Sequence, residues 1–295
     1  MRLGLYIGII TELMDAVILL NKPMEMTSFS AVRACRNIFH EKKAGHTGTL
    51  DPNASGLMIV LLGKYTKLVP YCVSNHKKYH AEFQMGTATD SEDIWGTVTE
   101  QREPKTHSKE ELENACHKFI GHTQQIPPMY SAIKKDGKKL YEYARKGETI
   151  EREPRDVEIA SLSVEQIGEN LYSMDADVSS GTYIRTLITD YCAAVGEIGA
   201  MTSLIRRGIE NLSLEDACTI EELEEGKGVF LDPLSVIDPE WKIVECRMPE
   251  MVMQGKHVYL NDETSDKVIF VKEHELLAAY EKQEDGMYHC RRGLF

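Results

Sequence analysis

Apolar runs and helical periods alternate along the first part of the chain. Residues 16–20 form a continuous apolar run, which predicts a buried strand. Residues 21–23 end this run with a proline, which cannot donate to a β-ladder. Residues 28–39 then repeat apolar positions at helical spacing, and either Thr27 or Ser28 can cap the helix. The pattern therefore predicts a strand followed by a capped helix.

Further elements are predicted in the middle of the chain. Residues 79–85 have the character of a strand, and the polar, turn-rich residues 86–106 are typical of an exposed loop. Residues 108–111 then form a capping box, which predicts a helix over the apolar positions that follow. Residues 156–167 and 171–180 are two strand-like runs joined by a short turn, so they predict a hairpin.

The clearest helical period begins at Thr182 and ends at Gly196. Its apolar face comprises Ile184, Leu187, Ile188, Tyr191, Cys192 and Val195. From about Ile243 the pattern changes to short strand-like runs. Mixed helices and strands predict an α+β fold with a central sheet flanked by helices. We expect an N-terminal extension over 1–13, a main domain over 14–240 and a small β-rich module over 241–295.

Charge is distributed unevenly along the sequence. The net charge is −13, which by itself disfavours a nucleic-acid partner. Residues 1–78, however, hold ten Lys and Arg against five Asp and Glu, and residues 134–146 hold six against two. Residues 210–240 hold ten acidic residues against one basic residue. A polyanion could therefore dock on the basic segments while the acidic segment faces away.

Cysteine, histidine and apolar content narrow the class of protein. The seven cysteines include no CxxC pair, which favours reduced thiols and a cytoplasmic location. His76 and His80 lie four residues apart but have no further ligand nearby in sequence, so no metal site is predicted. No apolar run approaches the ~20 residues of a membrane span, so no membrane association is expected.

Residues 45–56, with the sequence GHTGTLDPNASG, are the strongest candidate for a functional site. Three glycines permit tight turns and a close backbone approach to a ligand. Asp51 is the one carboxylate in the segment, and Pro52 stiffens the chain after it. The segment lacks the GK[ST] ending of a P-loop. These residues alone leave two interpretations open, a turn-forming aspartate and a catalytic one.

Arg185 and two tyrosines add to this picture. Arg185 lies one turn into the helix predicted from Thr182, beside core-facing positions, and a buried arginine needs a carboxylate partner. Asp51 is a candidate partner, although an ordinary surface arginine is the alternative. Tyr79 and Tyr130 adjoin basic pairs, an arrangement that suits base stacking with phosphate contacts as well as core packing.

Six segments taken in order resemble the TruB family of tRNA pseudouridine synthases. They are MDAVILLNKPMEMTSFSAVRACR, GHTGTLDPNASGLMIVLLGKYTKL, KKYHAEFQMGTATDSEDIWG, QIPPMYSAIKKDGKKLYEYAR, SSGTYIRTLITD and LIRRGIENLSLEDA. The resemblance runs from Met14 to about Asp238. Asn53, Ser55 and Ile94-Trp95 depart from the family pattern, and the C-terminal module resembles a trimmed PUA-type RNA-binding domain.

The resemblance implies the pseudouridine synthase fold and a set of site residues. Asp51 corresponds to the catalytic aspartate, Tyr79 to a tyrosine that stacks on the target base, and Arg185 to the arginine paired with the aspartate. His46 is similar to a histidine that holds the flipped nucleotide. The further substrate-site positions are Lys22 and Pro23, whose motif buttresses the site in the family, together with Tyr183 and the pocket-lining Leu204.

The implied activity is isomerisation of uridine 55 in the T-loop of tRNA to pseudouridine. The base must first be extruded from the folded loop. Asp51 then attacks either the sugar C1′ or the uracil C6, and Tyr79 or Asp51 takes the C5 proton. The implied mechanism requires no metal or other cofactor, and a monomer is the default expectation for the oligomeric state.

Three alternatives remain at this point. The first is a non-catalytic RNA-binding or RNA-folding module. The second is a hydrolase that pairs Asp51 with Asp90 or Asp93. The third is a guide-RNA-dependent synthase of the dyskerin type.

Overall fold

The computed structural model describes residues 14–261 and 263–295, so the extension predicted over 1–13 lies outside the described residues. The chain forms two units. The described part of unit 1 comprises residues 14–52, 56–74, 213–261 and 263–295, and unit 2 comprises residues 53–55 and 75–212.

Strands dominate both units. The strands are β1 (Ala16–Lys22), β2 (Ala44–His46), β3 (Ser55–Leu62), β4 (His76–Met85), β5 (Thr87–Thr89), β6 (Val98–Gln101), β7 (Gly121–Gln125), β8 (Lys134–Lys135), β9 (Lys138–Lys139), β10 (Arg155–Gln166), β11 (Leu171–Ser179), β12 (Gly199–Ile209), β13 (Leu212–Ser213), β14 (Lys242–Glu245), β15 (Lys267–Lys272), β16 (Glu275–Lys282) and β17 (Tyr288–Gly293). The α-helices are α1 (Ser28–Ile38), α2 (Lys109–His117), α3 (Leu140–Ala144), α4 (Ile184–Ala194), α5 (Ile220–Glu224) and α6 (Pro249–Met253). Short 3₁₀ helices cover Gly63–Tyr71, Leu214–Asp216 and Pro233–Val236.

The first predicted strand and helix are confirmed in unit 1. The apolar run forms β1, which pairs antiparallel with β3, and β2 pairs with the same strand. The strand continues through Lys22 and ends at the proline, since position 23 is the first without an amide donor. Thr27 caps α1 by accepting a hydrogen bond from the Ser30 amide. The predicted apolar face of α1 is buried.

Unit 2 contains a five-stranded antiparallel arrangement in the order β12-β4-β11-β10-β7. The predicted hairpin is β10 and β11, and the predicted capping box of α2 is present between Ser108 and Glu111. The helix predicted from Thr182 is α4, which begins two residues later at Ile184.

The expectation of an exposed loop over 86–106 is wrong in part. Strands β5 and β6 pair there as a short hairpin. All four residues of β6 are exposed, so the strand has no buried face to produce an alternating apolar pattern. Hydrophobic periodicity is therefore absent although the backbone ladder forms.

The β-rich character of the C-terminal residues is confirmed. Strands β14-β15-β16-β17 form a sheet in which β14 and β15 run parallel and the other pairs antiparallel. The sheet has its own buried cluster around Phe270, Tyr280 and Tyr288. Helix α6, which the apolar pattern did not predict, places Val252 in this cluster.

Two further sequence expectations concern thiols and membranes. All seven cysteines are free thiols, six of them buried. Among the described residues, no helix combines the length and apolar character needed to cross a membrane.

Candidate active site

Asp51 lies in the loop that joins β2 to β3 in unit 1. Its side chain is half-buried, and a turn at Pro52 and Asn53 follows it. Leu50, immediately before it, is buried. The Asp51 carboxylate is therefore carried by a short loop that is anchored in the apolar interior on one side and turns sharply on the other.

Two polar side chains hold the backbone on either side of Asp51. The Ser28 hydroxyl accepts from the Leu50 amide at 2.8 Å and donates to the Leu50 carbonyl at 3.0 Å. The Lys22 ammonium donates to the carbonyl of Pro52 at 3.4 Å. The carbonyls of Leu50 and Pro52, the residues on either side of Asp51, are thus held by side chains of α1 and β1.

The Lys22 side chain is fully buried, which is costly for an ammonium unless its donors are satisfied. Besides Pro52, it donates to the carbonyls of Pro23 and Met26, each at 2.7 Å. Lys22 and Pro23 were predicted as substrate-site residues. In the structure the Lys22 ammonium links the backbone around Pro23 to the backbone after Asp51, and Pro23 takes part through its carbonyl.

His46 ends β2 and is paired in register with Val60 of β3. Its side chain is half-buried. His46, Asp51, Lys22 and Pro23 therefore belong to one unit.

Tyr79 and Leu204 lie on neighbouring strands of unit 2. Tyr79, at the middle of β4, is half-buried and lies opposite Ala176 on β11 and Arg206 on β12. Leu204 is buried and lies opposite Ala81, two residues beyond Tyr79 on β4. Because side chains alternate along a strand, Tyr79 and Leu204 face the same side of the sheet. The structure therefore places these two predicted residues together.

Lys77 shares this face of β4 with Tyr79. It is 8% exposed, and its ammonium donates to the Ser180 hydroxyl at 3.1 Å. Burial and, secondarily, the nearby Arg206 charge lower the pKa of Lys77 to about 8, while Glu210 opposes the shift. Arg206 is itself only 1% exposed, so two buried cations adjoin the predicted base-stacking tyrosine.

Arg185 is buried, as its place in the predicted helix required. Its guanidinium donates to the carbonyls of Ser91 and Tyr130, both at 2.9 Å, and lies 4.0 Å from the Asp93 carboxylate. The Ser91 hydroxyl holds the other Asp93 oxygen at 2.6 Å. The guanidinium is therefore fixed in direction. Its pairing with Asp51 would join residues of different units and stays a prediction.

The loop around Arg185 is reinforced by Glu92, which has a left-handed φ of 66°. Its carboxylate accepts from the Thr186 hydroxyl at 2.7 Å. Burial raises the pKa of Glu92, and the Thr186 hydrogen bond and the Arg185 charge oppose that shift. The first turn of α4 is thus attached to this loop through two consecutive side chains.

Tyr183 is positioned by Gln125 at the end of β7. The Gln125 amide group donates to the Tyr183 carbonyl at 3.0 Å and accepts from its amide at 2.7 Å. Tyr183 is the N-cap of α4, so its amide has no acceptor within the helix, and the Gln125 side chain supplies one. The side chain of Tyr183 is half-buried.

The carboxylates named in the hydrolase alternative have structural contacts. Asp90 accepts from the Thr97 amide at 2.8 Å and from the Tyr130 hydroxyl at 3.3 Å. Asp93 accepts from the Ser91 hydroxyl and lies near the Arg185 guanidinium. Both side chains therefore stabilise the loop that follows β5. The hydroxyl of Tyr130, a candidate for base stacking, donates to Asp90 of this loop.

Three residues that support the site were not identified from sequence. Ser28 was considered only as a helix cap, Gln125 was not singled out, and Asp93 was considered only as a second catalytic carboxylate. Ser28 and Gln125 both lie within segments that resemble the family motifs, and this was the one sequence feature that could have indicated a role for them. Their roles depend on partners 22 and 58 residues away.

Solved structures share the fold of this chain. A Cbf5-Nop10-Gar1 complex contains a chain that matches with a TM-score of 0.70 at 21% identity, covering 95% of this chain and 85% of that chain. An H/ACA RNP bound to a substrate RNA containing 2′-deoxyuridine matches with a TM-score of 0.68 at 19% identity, over 95% and 85%. The fold is that of the pseudouridine synthases.

Comparison with sequence relatives identifies the family within the pseudouridine synthases. Residues 36–184 match the model of the TruB family pseudouridylate synthase N-terminal domain. A tRNA pseudouridine synthase B of Mesoplasma florum is 37% identical over 95% of this chain and 98% of its own length. One of Alkaliphilus oremlandii is 41% identical over 84% of each chain. The chain belongs to the TruB family of pseudouridylate synthases.

Proposed function

We propose that this chain isomerises uridine 55 in the T-loop of tRNA to pseudouridine, with Asp51 as the nucleophile. Relatives named tRNA pseudouridine synthase B, similar over most of their length, supply the substrate class. The observation that carries the assignment of Asp51 is the double tether of its loop. Ser28 and Lys22 hold the backbone of Leu50 and of Pro52, the residues on either side of Asp51.

A fixed carboxylate suits nucleophilic attack because its orientation requires no reorganisation at the moment of reaction. The Arg185 guanidinium, held by two carbonyls, is the proposed charge partner of Asp51. An arginine restrained in this way would direct the carboxylate as well as neutralise it.

The substrate uridine must leave the stacked T-loop before a carboxylate can reach it, at a cost of a few kcal/mol. Tyr79 would stack on the everted uracil, Leu204 would line the same side of the sheet, and His46 and Tyr183 would contact the nucleotide. The contribution of Tyr79 and Leu204 is supported by their common face on β4 and β12.

The bond changes balance without an external reductant or oxidant. The N1–C1′ bond breaks with Asp51 bonded to C1′ or to C6, and the uracil turns. A C5–C1′ bond then forms, the C5 hydrogen leaves as a proton, and N1 ends protonated. Product and substrate are isomers, and the carboxylate is regenerated.

We further propose that residues 14–240 constitute the catalytic domain and 241–295 an RNA-binding module, acting as a monomer. The cohesive four-stranded sheet over Lys242–Gly293 supports the second part of this division.

The Asp51→Asn variant tests the catalytic assignment. The amide has the size of the carboxylate but is a poor nucleophile, so we expect turnover to fall at least about 10³-fold with tRNA affinity within about threefold. Release of tritium from [5-³H]uridine tRNA measures turnover, and filter binding measures affinity.

Glu169→Gln, at an exposed position in the turn between β10 and β11, is the matched control and should retain full activity. Unchanged turnover in Asp51→Asn would contradict the assignment and favour a non-catalytic RNA-binding module. Release of free uracil by the parent protein would instead indicate hydrolysis. Mapping of pseudouridine in treated tRNA checks the position within the T-loop.

A further inference from the structure

His257, Asp285 and His289 form a cluster in the C-terminal sheet, remote in sequence from every residue assigned above. The donor atoms of the three side chains lie within 4.8 Å of one another. Two are exposed and the third is half-buried. Two imidazoles and one carboxylate make up a donor set that binds borderline transition ions.

The backbone brings the two histidines together. Val258 and Tyr288 exchange both backbone hydrogen bonds, at 3.1 and 2.8 Å, as an isolated antiparallel bridge. Residues 257 and 289 are the next pair along this bridge, where side chains on opposing strands come closest. Since Val258 and Tyr288 point into the buried cluster, His257 and His289 point outward. Their ring centroids are 3.6 Å apart.

Asp285 is oriented toward this pair by the turn between β16 and β17. Its Oδ1 accepts from the Met287 amide at 2.9 Å, which leaves Oδ2 directed at Nε2 of His289, also at 2.9 Å. Orientation of a ligating carboxylate by a backbone amide is typical of metal sites. Glu281 lies opposite His289 on β16, but its carboxylate pairs with Arg291 at 3.0 Å.

We propose that His257, Asp285 and His289 bind one Zn²⁺ or similar transition ion. The ion takes the place of the proton shared by Asp285 and His289. Ligand atoms on a tetrahedral zinc lie roughly 3.4 Å apart, so this pair opens slightly. The His257 ring turns out of its stack, because the ion must lie in the plane of each imidazole. Exposure of the ring leaves room for that rotation.

Bound metal would fasten the loop around residue 257 to the β16–β17 hairpin. An ion that binds the folded state alone stabilises it by mass action. Mg²⁺ and Ca²⁺ should not bind, because they require several oxygen ligands and this set provides one carboxylate.

Calorimetric titration of the full chain with ZnCl₂ tests the proposal. We expect about one ion per chain and a loss of affinity of at least about tenfold in both His257→Asn and Asp285→Asn. Saturating Zn²⁺ should also raise Tm by roughly 2–4 °C in the parent and in neither variant. Circular dichroism of the metal-free variants establishes that they fold.

Two control variants test whether zinc binds to these three residues and not to other histidine or cysteine side chains. His274→Asn removes an exposed histidine that pairs with Asp232 at 2.9 Å but lies outside the cluster, and it should bind Zn²⁺ as the parent does. Cys290→Ser should also retain binding, and the Co²⁺ form should lack a thiolate charge-transfer band. Zinc affinity unchanged in His257→Asn, or abolished in Cys290→Ser, would overturn the proposal. Failure here leaves the isomerase assignment untouched.

Discussion

Burial of Lys77 in the sheet of unit 2 makes the stability of the fold depend on pH. Its pKa in the folded chain is about 8, against 10.5 for an unperturbed lysine. Between these values the unfolded chain holds more protons than the folded one. The free energy of unfolding therefore rises with pH across this window, so the loss of stability due to Lys77 is full below about pH 8 and fades toward pH 10.5.

Replacement of Lys77 by methionine should remove this dependence. Between about pH 7 and about pH 10, the unfolding free energy of the parent should rise relative to that of Lys77→Met by on the order of 3 kcal/mol. Urea unfolding at both pH values measures it. Lys78→Met, at the exposed neighbouring position, is the matched control and should follow the parent. Parallel pH profiles for the parent and Lys77→Met would contradict the burial argument.

Helix α4 serves as the element that sets the direction of Arg185. Its first turn is buried, and it is fastened to the loop after β5 through the contacts of Arg185 with Ser91 and of Thr186 with Glu92. The loop in turn contains the left-handed Glu92 and the Asp93 carboxylate. Loss of one fastening should therefore disturb both stability and the alignment of the guanidinium.

Thr186→Val is the corresponding test, since valine preserves the shape but not the hydroxyl. The Glu92 carboxylate would lose a buried donor, so we expect a loss of about 1–3 kcal/mol in unfolding free energy and reduced isomerisation. Thr189→Val, one turn later, removes only a hydroxyl bond to the Arg185 carbonyl and should cost less than about 0.5 kcal/mol. Equal effects of the two substitutions in urea unfolding would show that Glu92 does not need this donor.

Across the whole molecule, opposite charges are collected in different segments. Residues 134–146 carry six basic residues against two acidic ones, and residues 210–240 carry one against ten. The β8–β9 hairpin presents exposed Lys134 and Lys138 from the first segment. A basic segment of this kind would attract a polyanion locally even though the net charge is −13.

The salt dependence of tRNA binding tests this distribution. Lys134→Gln combined with Lys138→Gln should weaken binding and reduce the slope of log K against log salt concentration by about 1–2. Fluorescence anisotropy with labelled tRNA at several salt concentrations measures the slope. Lys227→Gln, which removes a cation paired with Glu225 in the acidic segment, should leave the slope unchanged. If Lys227→Gln reduced the slope as much per charge removed as the double variant does, tRNA would be attracted nonspecifically to the whole surface.

Local sequence patterns predicted the elements that bury a continuous or periodic apolar face, such as β1, α1 and α4. They missed β6, whose residues are all exposed, and helix α6, which is only five residues long. Asp51 and Arg185 were predicted as site residues from their motifs and positions, and those roles stay predictions. The tether from Ser28 was not predictable from local patterns, because it joins a hydroxyl to a carbonyl 22 residues away. Lys22 belongs to the motif that the resemblance implied to buttress the site, but its acceptor at Pro52 lies 30 residues away and was not predicted.

Those tethers have a practical consequence for chemical biology. Ser28 and Lys22 hold carbonyls of the neighbouring residues, so replacement of the side chain at position 51 leaves both anchors in place. A cysteine installed there would present its sulfur from the same stretch of main chain. RNA oligonucleotides bearing a thiol-reactive group on the target nucleotide could then be captured covalently, yielding a trapped assembly suited to crystallography.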